Sequence, residues 1–318
     1  AIISWAISND WLASISVPIF AGFSTALTTI FASARTLVDS VFSQLVQGYA
    51  IWQRSVEFLK IEPESTQSTI SNFTPTGNIS FKNICFKYPK NKTDTLSNIS
   101  FEVNSGEFIG ITGESGCGKS TLLRIAYAVL EPNSGDVYYD NISNTKANLR
   151  SLRQSFGVIT QDIKLMNASL RDNLLGGIEV DDDKIYESLK ASCLDKFVDN
   201  LPMGLETILS ERTSSISMGQ KQLIMIARAL IKNPKVLFMD EATSYLDQKT
   251  ESLITSNIKS MGITRFAIAH RLSSIQDANR IILLGKGNII AIDSHDNLKN
   301  NCLEYKELYE ASQISLGG

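Results

Sequence analysis

The segment Gly113-Glu-Ser-Gly-Cys-Gly-Lys-Ser120 matches the pattern GxxxxGK[ST] at every fixed position. It follows the apolar run 108–112 and precedes the helical run 121–126, which is the strand–loop–helix context that the pattern requires. Glycines let backbone N–H groups turn inward around phosphate oxygens, and the N-terminus of the following helix adds the positive end of its dipole. The sequence therefore predicts a phosphate-binding loop that holds a nucleotide.

Residues of this loop have separate expected roles. Lys119 is expected to reach the β- and γ-phosphates, and the hydroxyl of Ser120 is expected to bind Mg²⁺. Two interpretations of Cys117 remain open: the helix N-terminus lowers its pKa and makes it reactive, or it only fills a tolerant loop position. The residues predicted to contact the nucleotide in this segment are Gly113, Glu114, Ser115, Gly116, Cys117, Gly118, Lys119, Ser120 and Thr121.

A second motif, Val236-Leu-Phe-Met-Asp240-Glu241, is an apolar run that ends in two carboxylates. Such a run predicts a strand that is buried on both faces and delivers its acids at the edge where α/β sheets bind ligands. Asp240 is expected in the Mg²⁺ shell, and Glu241 is a candidate general base for the attacking water. Apolar strands followed by Asp-Glu are common, so this assignment depends on the phosphate-binding loop.

Composition excludes some classes of partner. The net charge of −3 offers no global positive field for a nucleic acid, so none is expected as a partner. The four cysteines are scattered without a CxxC pair, which favours reduced thiols over a disulfide framework or a zinc site. The chain opens on Ala1 without a Met start, and we expect it to be a fragment of a longer protein.

The N-terminal region has a different chemistry from the rest. Between Trp11 and Ala34 there is no charged residue or histidine, which is long enough for a membrane-spanning helix; a buried helix of a soluble protein is the alternative. Residues 62–78 are rich in Pro, Gly, Ser and Thr and predict a linker. We therefore expect a membrane part at 1–61, the linker at 62–78, and an α/β domain with a mainly parallel sheet at 79–315.

The segment Ile216-Ser-Met-Gly-Gln220 resembles the LSGGQ signature of ABC transporters, and the match to their nucleotide-binding domain covers about 79–315. The resemblance implies a P-loop NTPase fold: a mainly parallel sheet flanked by helices, an antiparallel β subdomain and a helical signature subdomain. It also implies ATP and Mg²⁺ as cofactors. In the family the signature acts in trans, so Ser217, Gly219 and Gln220 are expected to cover the ATP of a second subunit, identical or closely related.

Other family positions match one by one. Tyr88 resembles the aromatic residue that stacks on adenine, and Gln161 resembles the glutamine that senses Mg²⁺ and relays to the membrane domain. His270 resembles the switch histidine that contacts the γ-phosphate, and Ser244-Tyr-Leu-Asp247 resembles the loop that crosses the dimer interface. The resemblance therefore implies Glu241, His270 and Gln161 as catalytic residues, with Ser120, Gln161 and Asp240 around the metal.

The resemblance points to exporters rather than importers. Thr207-Ile-Leu-Ser-Glu211-Arg212 is similar to the TxVGERG element of exporters, and a membrane helix upstream on the same chain is exporter architecture. This implies a lipid bilayer as partner and a plasma membrane location, bacterial inner membrane in particular, with the nucleotide-binding domain in the cytoplasm. A soluble ABC ATPase acting on DNA or ribosomes is the competing class.

Within exporters, 203–211 and 259–270 are most similar to bacterial exporters of peptides and bacteriocins, which implies a peptide substrate; lipids or small molecules are the alternatives. Met218 departs from the family, which usually has Gly there. A side chain at this position is expected to crowd the approach of two subunits and slow hydrolysis. A degenerate site that binds ATP without efficient turnover remains the other outcome.

Overall fold

The structure is a computed structural model, and it describes residues 17–60, 73–89, 91–162, 164–209, 216–269 and 271–314. The chain divides into two compact units, Ala1–Ser65 and Thr66–Gly318.

The described part of the first unit is one long helix, α1, at Val17–Leu59. Its 43 residues have an apolar window with a mean hydropathy of 1.5, and none of that window is buried. At 1.5 Å per residue the helix is about 65 Å long, roughly twice the hydrocarbon core of a membrane. Its threonine hydroxyls donate to main-chain carbonyls of the preceding turn, as Thr25 does to Ala21 over 2.8 Å. This pairing lets polar residues lie in an apolar surrounding.

The second unit contains three sheets. A six-stranded sheet has the order β12-β11-β3-β10-β9-β6, a four-stranded antiparallel sheet has the order β2-β1-β4-β5, and β7 pairs with β8. The strands are β1 (Ile79–Phe86), β2 (Leu96–Val103), β3 (Phe108–Gly113), β4 (Ser134–Tyr139), β5 (Ile142–Ser143), β6 (Phe156–Ile159), β7 (Ala168–Ser169), β8 (Ile208–Leu209), β9 (Val236–Asp240), β10 (Thr264–Ile268), β11 (Arg280–Gly285) and β12 (Asn288–Asp293).

Helices flank the sheets or form a separate layer. The α-helices of this unit are α2 (Lys119–Ala126), α3 (Leu149–Gln154), α4 (Leu170–Leu175), α5 (Asp182–Ala191), α6 (Asp195–Asp199), α7 (Met218–Leu230), α8 (Gln248–Ser260), α9 (His295–Asn301) and α10 (Leu303–Ile314). Short 3₁₀ turns lie at Gly204–Glu206 and Leu272–Ile275.

The six-stranded sheet is parallel except for β12, which pairs antiparallel with β11. Its central strands are buried on both faces, as expected for a parallel sheet covered by helices. Phe238 of β9 stacks on Phe266 of β10 with ring centroids 5.1 Å apart. Because β3, β6 and β9 run in one direction, the loop after β3 and the residues after β6 and β9 meet at one edge.

The helical layer has a core of its own, built from α4, α5, α6 and α7. Leu170, Leu189 and Ile224 are fully buried within it. The expected α/β fold, with its antiparallel sheet and helical part, is therefore confirmed. The helix that carries the signature, α7, begins at Met218, because Ser217 caps its N-terminus.

Candidate functional site

The loop between β3 and α2 is shaped by glycines at positive φ. Gly113 has φ 144°, Gly116 has φ 79° and Gly118 has φ 106°. A Cβ on Gly113 would lie 2.1 Å from the carbonyl oxygen of Leu284, and one on Gly118 would lie 2.7 Å from Cδ2 of Leu96. Backbone conformation and lack of space thus both require glycine at these two positions.

Lys119 is the first residue of α2 and is only 8% exposed. Its Nζ donates to the carbonyl oxygens of Gly113 and Glu114, both over 2.8 Å. The ammonium group is therefore held against the loop that it closes, at the N-terminus of a helix. This is an arrangement suited to a bound anion.

Glu241 directly follows β9 and has a φ of 55°, a left-handed conformation that is uncommon for a residue with a side chain. Gln161 follows β6, the neighbour of β9, and its Nε2 donates to Oε2 of Glu241 over 3.2 Å. The carbonyl oxygen of Glu241 accepts hydrogen bonds from Ser244 Oγ and Gln222 Nε2, each at 3.1 Å. Such strained backbone is often found at functional sites, where the surroundings hold it in place.

These elements surround a cavity of about 890 Å³. The structure brings together nine of the predicted residues along its walls: Tyr88, Ser115, Gly116, Gly118, Lys119, Ser120, Thr121, Gln161 and Glu241. Gly113, Glu114, Cys117 and Asp240 adjoin them in the chain without lining this cavity.

Tyr88 lies at the wall formed by the antiparallel sheet. Its hydroxyl shares a hydrogen bond with Thr121 Oγ1 over 3.2 Å, and its ring packs edge-on against Phe86 with centroids 4.9 Å apart. The ring is half-buried and fixed at both ends, which places an aromatic surface next to the phosphate-binding loop.

The sequence interpretation missed part of the cavity wall. Lys286 and Gly287 form the turn between β11 and β12, and the Gly287 carbonyl accepts from Ser97 N over 2.8 Å. A residue followed by Gly between two apolar runs is a recognisable hairpin signal. This signal does not indicate that the turn lies near the phosphate-binding loop. The other missed residues of the wall are Asn91, Thr93, Asp94, Thr95 and Ile268.

Cys117 is 6% exposed, and its Sγ would lie 3.0 Å from a Cβ on Gly113. Burial raises the pKa of its thiol, and the nearby Lys119 ammonium offsets only part of that effect. The interpretation of Cys117 as a thiol activated by the helix N-terminus is therefore wrong, because desolvation outweighs the favourable charge. The other interpretation, that it fills the loop, agrees with its packing.

The signature segment lies outside this cavity. Ser217 Oγ accepts from the backbone N–H of Gln220 over 3.2 Å, and Gln220 Oε1 accepts from the Ser217 N–H over 2.9 Å. This capping box begins α7, and Met218 in its first turn is 44% exposed. Within one chain, Ser217, Gly219 and Gln220 are thus separate from the cavity. His270 and Glu211 lie outside the described residues.

The site fits a nucleotide triphosphate with Mg²⁺. The glycine positions leave room that a Cβ would fill, and they turn the backbone around the N-terminus of α2. The Ser120 hydroxyl, the Gln161 amide oxygen and the Asp240 carboxylate are the hard oxygen donors that Mg²⁺ prefers. Within the described ranges there is no group of three His, Cys, Asp or Glu side chains arranged for a metal. One carboxylate with phosphate oxygens is nevertheless a usual Mg²⁺ environment.

Comparisons with known proteins give a consistent family. The family model described as ABC transporter matches residues 96–244. The ATP-dependent lipid A-core flippase of Bordetella pertussis is 34% identical over 316 residues, which cover 97% of this chain and 50% of the flippase. Multidrug resistance protein 1 of Entamoeba histolytica is 40% identical over 229 residues, covering 70% of this chain and 18% of that protein.

A solved structure of an ABC exporter is also similar to this chain. The structure of a bacterial Atm1-family ABC exporter with ATP bound has a TM-score of 0.76 and 30% identity, covering 94% of this chain and 53% of that one. This chain thus spans about half the length of the flippase and of the solved exporter. With the phosphate-binding loop, the carboxylates at the end of β9 and the capped signature helix in place, we conclude that this chain belongs to the ABC transporter family, among the exporters, and carries the family's ATP-binding domain.

Proposed function

We propose that this chain is the ATP-hydrolysing half of an ABC exporter and couples ATP hydrolysis to transport across a membrane. The observation that carries the proposal is the cavity in which the phosphate-binding loop, Gln161 and Glu241 meet. Such a site has all the parts that phosphoryl transfer to water requires: a phosphate cradle, oxygen ligands for Mg²⁺ and a carboxylate base.

Each residue around the cavity has a proposed role. Lys119 neutralises negative charge on the phosphates, and Ser120 and Asp240 hold Mg²⁺, which polarises the phosphate oxygens when bound. Glu241 accepts the proton of the attacking water at a carboxylate oxygen. Gln161 orients that carboxylate through their 3.2 Å hydrogen bond and also contributes to the Mg²⁺ shell. Tyr88 offers its ring to the adenine.

Two further contacts are proposed on the family resemblance. His270 follows the described end of β10 by two residues and is proposed to contact the γ-phosphate. A second subunit, identical or closely related, is proposed to present Ser217, Gly219 and Gln220 to this chain's ATP. The position of the capped N-terminus of α7 outside the cavity supports this arrangement, because these groups then need another chain's nucleotide to act on.

The membrane part is proposed to be the region that contains α1. This helix is long and apolar enough to cross a bilayer, and its described charges begin only at Arg35. We propose a location in the bacterial inner membrane, with the ATP-binding domain in the cytoplasm. The acidic net charge argues against a nucleic acid as a partner.

For the substrate, a lipid is favoured over a peptide. The relative that matches along 97% of this chain is named as a lipid A-core flippase, and neither it nor the other two proteins compared is named as a peptide exporter. The peptide alternative rests on the resemblance of 203–211 and 259–270. Stimulation of ATPase activity by a lipid A-core glycolipid, with the full-length protein in vesicles, supports the lipid; stimulation by a double-glycine leader peptide instead contradicts it.

Single-turnover hydrolysis tests the ATPase. Glu241→Gln removes the base while keeping the shape of the side chain, and we expect it to lower the hydrolysis rate about 10²–10⁴-fold. Binding of a fluorescent ATP analogue should be retained in this variant and lost in Lys119→Ala. If Glu241→Gln hydrolyses ATP at the parent rate, Glu241 is not the base; if the parent shows no turnover, the chain is an ATP-binding module.

A further inference from the structure

Arg265, the second residue of β10, is a buried cation with no counter-ion among the described residues. Its side chain is 6% exposed, and its Nε is buried without a hydrogen-bond partner in the part of the chain that the structure describes. Across the described ranges, no carboxylate lies within ion-pair distance of its guanidinium group. The guanidinium carbon lies 4.3 Å from the centre of the Phe108 ring.

This environment leaves the charge only partly compensated. A buried guanidinium group normally has a carboxylate or several hydrogen bonds, because its desolvation is costly. The contact with Phe108 offsets part of that cost. Burial lowers the pKa of Arg265, yet a guanidinium group stays protonated in proteins, so the charge remains.

Arg265 also forms part of the wall of a second cavity, of about 770 Å³. Two more cations, Lys259 and Arg271, line it, against the two carboxylates Glu251 and Asp277. Glu251 already accepts a hydrogen bond from Thr243 over 2.6 Å. Six hydroxyl-bearing residues also line the wall: Ser252, Thr255, Ser256, Ser273, Ser274 and Tyr309. The hydroxyls of Ser252 and Ser274 already donate to the main-chain carbonyls of Gln248 and Arg271. None of the residues around this cavity lines the cavity beside the phosphate-binding loop.

We propose that the cavity beside Arg265 is a binding site for a phosphate group, separate from the ATP site. The planar fork of Arg265 pairs with two oxygens of one phosphate, and Arg271 and Lys259 add charge at the open side. The hydroxyls of Thr255, Ser256 and Ser273 donate to the remaining oxygens. A phosphate suits this wall better than a carboxylate, because a phosphate has more acceptor oxygens and more negative charge for the donors present. Phosphate binding in the cavity beside Arg265 does not require ATP hydrolysis in the cavity beside the phosphate-binding loop.

Titration with inorganic pyrophosphate tests the proposal. The full chain in detergent micelles is used with Lys119→Ala, which weakens binding at the loop. We expect the added substitution Arg265→Gln to weaken pyrophosphate binding about ten- to a hundredfold, as for the loss of a charge-assisted hydrogen-bonding pair. Lys249→Gln, which removes an exposed cation from the same helix as Lys259 without touching the cavity, is expected to change binding less than twofold.

A thermal-unfolding measurement separates binding from packing. Arg265→Met keeps apolar contact with Phe108 but cannot bind an anion. Pyrophosphate should therefore raise the unfolding temperature of the Lys119→Ala chain. It should not raise the unfolding temperature of the chain that carries both Lys119→Ala and Arg265→Met. Competition by AMP would identify a nucleotide as the source of the phosphate, and competition by glycerol 1-phosphate a lipid headgroup. Equal pyrophosphate affinity with and without Arg265 overturns the proposal. The proposal is also overturned if Arg265→Met lowers the unfolding temperature by the same amount with and without pyrophosphate, because pyrophosphate then stabilises both chains equally.

Discussion

Gln222 of the signature helix α7 donates a hydrogen bond from Nε2 to the main-chain carbonyl oxygen of Glu241 over 3.1 Å. Its Oε1 accepts from the backbone N–H of Tyr245 over 3.0 Å, and the side chain is 2% exposed. One buried amide thus links the helix that Ser217 caps to both sides of the turn that carries Glu241. A shift of α7 would therefore act on the backbone of the proposed catalytic carboxylate.

Replacing Gln222 by Leu is expected to impair turnover more than nucleotide binding. The change leaves the Tyr245 N–H and one acceptor site of the Glu241 carbonyl without their buried partners, which costs about 1–3 kcal/mol of unfolding free energy. Misplacing the Glu241 turn should also lower kcat about tenfold to a hundredfold, while KM for ATP stays within about threefold. Steady-state ATPase assays and denaturant unfolding check the two effects. Gln222→Glu, which keeps the acceptor for Tyr245 but loses the donor to Glu241, tests which bond matters; unchanged kcat in both variants would contradict the link.

Gly118→Ala is expected to abolish nucleotide binding. Its Cβ would lie 2.7 Å from Leu96 and 2.9 Å from the Thr95 carbonyl oxygen, so the loop must move. Gly116→Ala is the matched control, because it has a similar positive φ but no atom within 4 Å of its new Cβ. We expect Gly116→Ala to retain binding with a loss of about tenfold or less, since an alanine at positive φ costs about 1 kcal/mol. Titration with a fluorescent ATP analogue measures both, and equal losses would show that space is not the cause.

Alkylation of Cys117 is expected to be slow at neutral pH and to accelerate as pH rises. Burial raises the pKa of its thiol, so the reactive thiolate becomes abundant only at a pH above the ordinary value for cysteine. Mass spectrometry measures how the rate of iodoacetamide modification depends on pH, in a chain with the other three cysteines changed to Ser. Modification should block ATP binding, and ATP should protect the thiol. Rapid modification at neutral pH, or full ATP binding after it, would contradict the prediction.

Met218→Gly is expected to raise ATPase activity in the full-length transporter. Met218 is exposed directly after the Ser217 cap, at the end of α7 that is proposed to approach a second subunit. Removing the side chain should allow closer approach, with little effect on the helix because the position is in its first turn. ATPase rates of the dimer report the result, and Met218→Ala should give an intermediate rate. Equal rates in all three proteins would mean that Met218 does not crowd the interface.

Sequence patterns alone predict the phosphate-binding loop, the apolar strand with Asp240 and Glu241 at its end, and the α/β class of the domain. These are local signals: Gly113 to Ser120 and the run 236–241 carry their chemistry in adjacent residues, and strand or helix follows from the apolar pattern around them. The resemblance of 216–220 to a family signature implied the helical part, and the structure shows that the Ser217 cap begins its helix α7 at Met218.

Contacts between residues that are distant in the chain become visible only in the folded protein. The turn at Lys286 and Gly287 borders the nucleotide cavity because β11 lies next to β3, and Gln222 reaches Glu241 because α7 packs near the end of β9. Burial raised the pKa of the Cys117 thiol, and packing left Arg265 Nε without a hydrogen-bond partner among the described residues. Desolvation and long-range pairing arise from the packing of elements far apart in the chain, and spacing along a sequence does not specify them.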